Sequence, residues 1–183
     1  MSEESRGRFV WYDLITNDPK AAKDFYGSLI GWGTQEWEDG DQPYTMWTNN
    51  ETPLGGVMEL PEEAKAAGAP PHWMAYVAVE DVEQAASKVV EAGGSVLHPA
   101  TEVPDAGSFA VLADPQGAAF AIYSSAKPQS QDSADEGQVG RFSWNELATS
   151  DYKAAFTFYS DLFGWEPQEA MDMGPGGIYQ IYG

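Results

Sequence analysis

The chain has 183 residues, 43% hydrophobic and 13% aromatic, enough apolar surface to offset chain entropy, which excludes a disordered protein. Twenty-nine acidic residues against nine basic ones give a formal net charge of −20, which repels phosphate backbones and anionic lipid surfaces, so neither nucleic acid nor membrane is an expected partner. Cysteine is absent, which excludes disulfides and thiolate metal sites, and a polar start with no apolar run of membrane-span length reads as cytoplasmic.

The first segment, Phe9 to Thr16, is rich in aromatic and branched residues and predicts a strand. Asp18 is then a helix N-cap, Pro19 suits the first helical position, and Gly31, thirteen residues after Asp18, is a C-terminal stop. Between them Ala22, Phe25, Tyr26, Leu29 and Ile30 follow the spacing of a one-sided apolar stripe. Three further strands are predicted at Thr34 to Glu38, Tyr44 to Asn49 and Leu54 to Leu60, with turn signals at Asp39-Gly40 and Asn49-Asn50. Gly55-Gly56 and Gly93-Gly94 read as bend and cap glycines.

The same order then recurs. Trp73 to Val79 predicts a strand, Asp81 to Gly94 a helix with the stripe Val82, Ala85, Ala86, Val89 and Val90, and strands follow at Ser95 to His98, Ser108 to Ala113 and Ala118 to Ser124, the last two joined by Asp114-Pro115-Gln116-Gly117. Residues 126–139 are polar, lack periodicity and read as a linker. From Gly140 the chain repeats its own beginning: 15 of the 26 positions from Gly7 to Trp32 are identical in Gly140 to Trp165. This copy predicts a strand at Phe142 to Thr149 and a helix from Asp151 to Gly164 with the stripe Ala155, Phe158, Tyr159, Leu162 and Phe163. Gly183 corresponds to Asn50, so the third copy holds no fourth strand.

The repeating unit is βαβββ. Four strands with one helix leave one sheet face bare, and two units sharing that face bend into an open, U-shaped barrel with helices outside and a hollow within. The expected fold is therefore α+β: two modules at about 7–62 and 70–125 forming one domain over 7–125, and a partial third module, βαββ, at 140–183. The open edge of that third module predicts either a tandem-domain protein cut short in its second domain or pairing with another chain, giving a homodimer.

Paired βαβββ modules, the helix end Phe25-Tyr26-Gly27-Ser28-Leu29-Ile30-Gly31-Trp32 and the Asp114-Pro115-Gln116-Gly117 turn resemble the vicinal-oxygen-chelate superfamily of glyoxalases, bleomycin-resistance proteins and extradiol dioxygenases. Members include isomerases, epimerases, ring-cleaving dioxygenases and drug-sequestering proteins, so the resemblance implies a fold rather than a reaction. It also implies metal ligands, a His or Gln on a module's first strand and a Glu on its last. The first-strand positions fall on Trp11, Met74 and Trp144, and the last-strand position of the second module on Ala121, none of which ligates a divalent ion well. Glu59 alone matches loosely, and one carboxylate is not a site. No metal or other cofactor is expected.

His72 and His98 are the only imidazoles, both at strand ends; backbone satisfaction is the simple reading, and His72 is the better catalytic candidate. Asp13 lies mid-strand two residues after Trp11, so both point to one face, and Trp144 and Glu146 repeat the pair. If Tyr12 and Leu14 pack under the helix, Asp13 faces the hollow, where it either fixes a ligand's polar group, acts as a base, or pairs with Arg8 or donors on a neighbouring strand. Met74, Tyr76, Ala121 and Tyr123 face inward by the same alternation; Trp47, Met58 and Phe109 are further wall candidates. Such a lining suits a flat or greasy small molecule. The functional expectation is metal-free binding of a small aromatic or apolar metabolite. The alternatives are a glyoxalase- or dioxygenase-type lyase or oxidoreductase with an atypical metal set drawn from Glu59, His72 or Asp13, and a filled hollow in a chain that mainly assembles with itself.

Overall fold

The computed structural model describes residues 6–37, 44–127 and 139–183. The polar start, the Asp39-Gly40 turn and most of the expected linker lie outside the described residues.

Module one comprises β1 (Phe9–Thr16), α1 (Pro19–Ile30), β2 (Gly33–Trp37), β3 (Tyr44–Asn49) and β4 (Thr52–Glu59). A short helix, α2 (Glu62–Ala66), leads to module two: β5 (His72–Ala78), α3 (Val82–Glu91), β6 (Ser95–Val103), β7 (Gly107–Ala113) and β8 (Ala119–Ser125). All eight strands join one mixed sheet in the order β2-β3-β4-β1-β5-β8-β7-β6. The first strands of the two modules, β1 and β5, pair antiparallel at its centre, while each pairs in parallel with its own module's last strand. The sheet stays open between β2 and β6, with helices on its outer face.

The capping argument holds at atomic level. Asp18 accepts from Ala21 N at 2.9 Å, Asp81 from Gln84 N at 2.8 Å and Asp151 from Ala154 N at 3.1 Å. Gly31 and Gly164 close α1 and α4 (Tyr152–Phe163) in the left-handed region, at φ 85° and 82°. After α3 the left-handed residue is Gly93 rather than Gly94.

The three apolar stripes fare differently. In α4, Ala155, Phe158, Tyr159, Leu162 and Phe163 are all buried, in one cluster with Val82, Ala85 and Val89 of α3 and Leu112, Phe120 and Ile122 of the second module's strands. Burial of each large side chain contributes about 1.5–3 kcal/mol before ordering costs, so the third copy's helix is firmly seated on module two. On α1, by contrast, Phe25, Leu29 and Ile30 are exposed, and only Ala22 and Tyr26 reach the core of Leu14, Trp32, Trp47, Leu54 and Val57. The repeat predicts the stripe; a covering surface decides whether it is buried.

The expected first strand of the third copy, Phe142 to Thr149, is not a strand in the structure. A ladder needs neighbours: β1 has β4 and β5, whereas among the described residues the third copy adds only the hairpin β9 (Pro167–Asp172) and β10 (Ile178–Tyr182), which pairs with itself. The segment lies instead across the outer face of module one, with Phe142 stacked on Tyr12 at 3.7 Å and Asn145 Nδ2 donating to the Tyr12 hydroxyl at 3.0 Å.

Copies one and three grip each other symmetrically. The Trp32 indole N–H donates to the Gly140 carbonyl at 2.7 Å, and Trp165, its counterpart 133 residues later, donates to the Gly7 carbonyl at 2.9 Å. Gly7 and Gly140 both adopt left-handed φ, 82° and 85°, which favours glycine at the start of each repeat. The Trp that ends each helix motif is thus a clamp between copies.

Candidate functional site: a buried carboxylate in the cup

Ladder registers fix which side chains share the inner face. Asp13 is opposite Gly56 on β4 and Met74 on β5, Met46 is opposite Gly56, Trp11 is opposite Tyr76, and Tyr76 is opposite Ala121. Direct cross-strand partners point the same way, so these residues line the cup, with Phe109 and Tyr123 paired beyond them.

Asp13 is 4% exposed, and every partner it has is a donor. Its Oδ1 accepts from the Tyr44 hydroxyl at 2.5 Å and from Trp11 Nε1 at 3.0 Å; its Oδ2 accepts from the Tyr76 hydroxyl at 2.7 Å. The Gly56 backbone adds a further bond, and Trp11 Nε1 also reaches the Tyr44 hydroxyl at 2.8 Å. Burial pushes the carboxyl above its ordinary value, and the bonds from Tyr44, Tyr76, Trp11 and Gly56 pull it back. Burial, then the adjacent carboxylate, pushes both phenols well above their usual range, so they remain O–H donors. The carboxylate is therefore a saturated anchor that orients two tyrosines from different strands. Their oxygens, polarised by the negative charge, remain as acceptors for a ligand's N–H or O–H.

Gly56 makes this possible. A Cβ there would run into the Tyr44 hydroxyl and come within 2.6 Å of Asp13 Oδ1. Gly55 is needed for another reason, since its Cβ would strike the Tyr12 carbonyl on β1. Both glycines mark close approach rather than a bend.

Of the residues singled out from sequence, Trp11, Asp13, Met74 and Tyr76 meet at one place, and Phe109 extends the surface with its ring 6.2 Å from that of Tyr76. Tyr123 shares the face, but its hydroxyl donates to the Ala106 carbonyl at 2.7 Å. Met58, opposite Ile15, lies at the exposed rim. Trp47 does not join them: it is fully buried under α1, edge-on to Tyr26 at 5.8 Å, because it alternates with the cup-facing Met46. Among the described residues its indole N–H has no hydrogen-bond partner. His72 stands on the cup face beside Met74, and its Nδ1 donates to the Pro70 carbonyl at 2.7 Å. Glu59 follows cup-facing Met58 and so points the other way, 3.3 Å from Lys65. Tyr44 is not singled out by the sequence; the available signal is that it lies two residues from Met46 and so on the same face, in a strand two places from β1.

The metal set that the fold implies does not fit these residues. Asp13 is enclosed by donors, His72 and Glu59 are engaged elsewhere, and among the described residues no three His, Asp or Glu side chains gather closely enough to hold an ion. A shallow depression of about 370 Å³ lined by Ala86, Ser87, Val90, Glu91 and Val96 lies outside the cup, between α3 and β6.

Residues 8–122 match the family model of the glyoxalase/bleomycin resistance protein/dioxygenase superfamily. The chain belongs to this superfamily. It is 35% identical over 185 residues to CFP32 of Mycobacterium tuberculosis, provisionally named a glyoxylase, an alignment covering 98% of this chain and 68% of that protein. It is 31% identical over 180 residues to the anthracycline biosynthesis protein DnrV of Streptomyces peucetius, covering 92% and 65%. Among solved structures, a 4-hydroxymandelate synthase mutant from Streptomyces coelicolor superposes with a TM-score of 0.59 at 15% identity, covering 91% of this chain and 55% of that one. The Mn(II)-bound glyoxalase from Novosphingobium aromaticivorans gives 0.53 at 14%, covering 90% and 54%. These two likenesses concern the fold alone. The chain spans about two thirds of the length of the named relatives and just over half of the solved chains.

Proposed function

We propose that modules one and two of this glyoxalase-like protein bind a small, flat aromatic or apolar metabolite in the cup without a metal. The saturated Asp13 carries this reading: this buried carboxylate of the inner face spends its lone pairs on Tyr44, Tyr76, Trp11 and Gly56, while Trp11, Met74 and Ala121 occupy the positions where ligands to an ion would stand. The tyrosine oxygens suit a ligand that donates a hydrogen bond, and the methionine and aromatic surround suits its flat body. Likeness to an anthracycline biosynthesis protein is compatible with an aromatic ligand.

The test combines elemental analysis with a titration of 2-naphthol followed by its own fluorescence. Purified protein dialysed against zinc, nickel, manganese or iron is expected to retain well under one ion per chain. 2-Naphthol is expected to bind, and Met58→Arg, which adds charge at the exposed rim, to weaken that binding. A stoichiometric ion that Asp13→Asn releases would overturn the proposal. So would 2-naphthol affinity unchanged in Met58→Arg.

Two further parts of the reading are proposals. Pairing with a second copy through the third module is one, since among the described residues its hairpin pairs only with itself and the 142–149 segment joins no ladder. A cytoplasmic location accords with the absence of cysteine; among the described residues no helix is long and apolar enough to cross a membrane.

A further inference from the structure

The inner face of the cup continues past the Asp13 cluster along a cross-strand row. Tyr76 on β5 is opposite Ala121 on β8, Ala121 is opposite Val111 on β7, and Val111 is opposite His98 on the edge strand β6. Direct partners share a face, so the His98 imidazole stands on the cup side, three strands from Tyr76. The small side chains between them leave room for Phe109 to lean across the row. Its ring centre is 6.2 Å from that of Tyr76 and 5.5 Å from that of His98, to which it lies nearly parallel at 8°. Ala121 is fully buried beneath this layer. Tyr76, Phe109 and His98 therefore form one run of rings from the buried carboxylate to the rim.

The far end of that run is polar, and geometry fixes which nitrogen carries the proton. The Thr101 hydroxyl donates its single proton to the Pro99 carbonyl at 3.0 Å, so in its 3.0 Å contact with His98 Nε2 it is the acceptor. The neutral ring is thus protonated on Nε2, and Nδ1 carries a lone pair. Among the described residues nothing donates to Nδ1, and His98 is exposed to solvent. Stacking on Phe109 and the bond to Thr101 hold this acceptor in place before any ligand arrives. At the other end the Tyr44 and Tyr76 oxygens, whose protons go to Asp13, also accept. The cup therefore offers acceptors at both ends of an apolar run. Three strand spacings, about 14 Å, separate the backbones of Tyr76 and His98, farther than a two-ring molecule reaches.

We infer that His98 is the cup's second polar anchor, and that the ligand class is an elongated fused-ring aromatic bearing a hydrogen-bond donor at each end. The near donor meets the tyrosine oxygens, the rings lie along Tyr76 and Phe109, and the far donor meets His98 Nδ1. This rests on the cup being the binding site proposed above, and it adds the length and the two-ended polarity of what binds there.

The probes are 2-hydroxyfluorene and 2,7-dihydroxyfluorene, which share a flat fused-ring frame and differ only in the far hydroxyl, each followed by its own fluorescence. In wild type the diol is expected to bind more tightly than the mono-ol by more than the roughly twofold that its symmetry alone supplies. His98→Phe keeps a ring against Phe109 and removes Nδ1. It should weaken the diol about threefold to tenfold, the range for one net hydrogen bond, and leave the mono-ol and 2-naphthol unchanged. Thr101→Val, which frees the imidazole to turn, should weaken the diol less. An equal loss of both fluorenes in His98→Phe overturns the inference by reducing His98 to a packing contact, and unchanged affinity for both overturns it by removing His98 from the site. Binding of 2-naphthol without either fluorene would refute the elongated ligand and leave the proposed function standing; if 2-naphthol fails as well, both fall.

Discussion

Leu29 and Leu162 hold the same position in two copies of one repeat, and their truncation to alanine should have very different costs. Leu162 is 7% exposed within the cluster that α4 forms with α3 and the module-two strands; Leu29 is 66% exposed on α1. A core Leu→Ala change costs about 2–5 kcal/mol, part from lost transfer energy and part from the cavity left behind. At Leu29 about two thirds of the side chain already meets water and no closed cavity forms, so the cost should stay below about 1 kcal/mol. Urea unfolding of the two variants, compared at a shared m-value, reads the difference directly, and Leu162→Ala should lower the midpoint by at least twice the shift of Leu29→Ala. Equal shifts would show that the third copy's helix does not rest on module two in solution.

Two other outcomes follow from the same contacts. Because burial holds the Asp13 carboxyl above the ordinary carboxylate value, the folded state binds its proton more tightly than the unfolded chain does. Its contribution to stability is then greatest below the unfolded pKa and is lost as pH rises through the folded one, so unfolding free energy measured from pH 4 upward should fall more steeply in wild type than in Asp13→Asn; parallel profiles would contradict the burial argument. Trp32→Phe and Trp165→Phe each remove one indole donor to a glycine carbonyl and should cost about 1 kcal/mol apiece. Thermal unfolding checks this, and two variants as stable as wild type would mean that the reciprocal clamp carries no energy.

Much of this protein is local and therefore legible in one dimension. Asp and Gly at fixed spacing set the helices because an N-cap carboxylate and a left-handed glycine act within a few residues, and β3 runs from Tyr44 to Asn49 as the alternation predicts. The repeat fixes the module, and the bare sheet face of one module calls for a second, which yields the open eight-stranded sheet. The inward placement of Trp11, Asp13, Met74 and Tyr76 follows from period-two alternation once one face is assigned.

What lay beyond the sequence depends on neighbours far apart in the chain. Tyr44 reaches Asp13 only because β4 lies between β3 and β1 and carries Gly56 where any side chain would block the way. The stripe of α4 is buried and most of that of α1 exposed although the two patterns agree position for position, since periodicity states which face is apolar and only packing states what covers it. Phe142 to Thr149 has the composition of a strand but no ladder, because a strand's backbone bonds belong to its neighbours and not to itself.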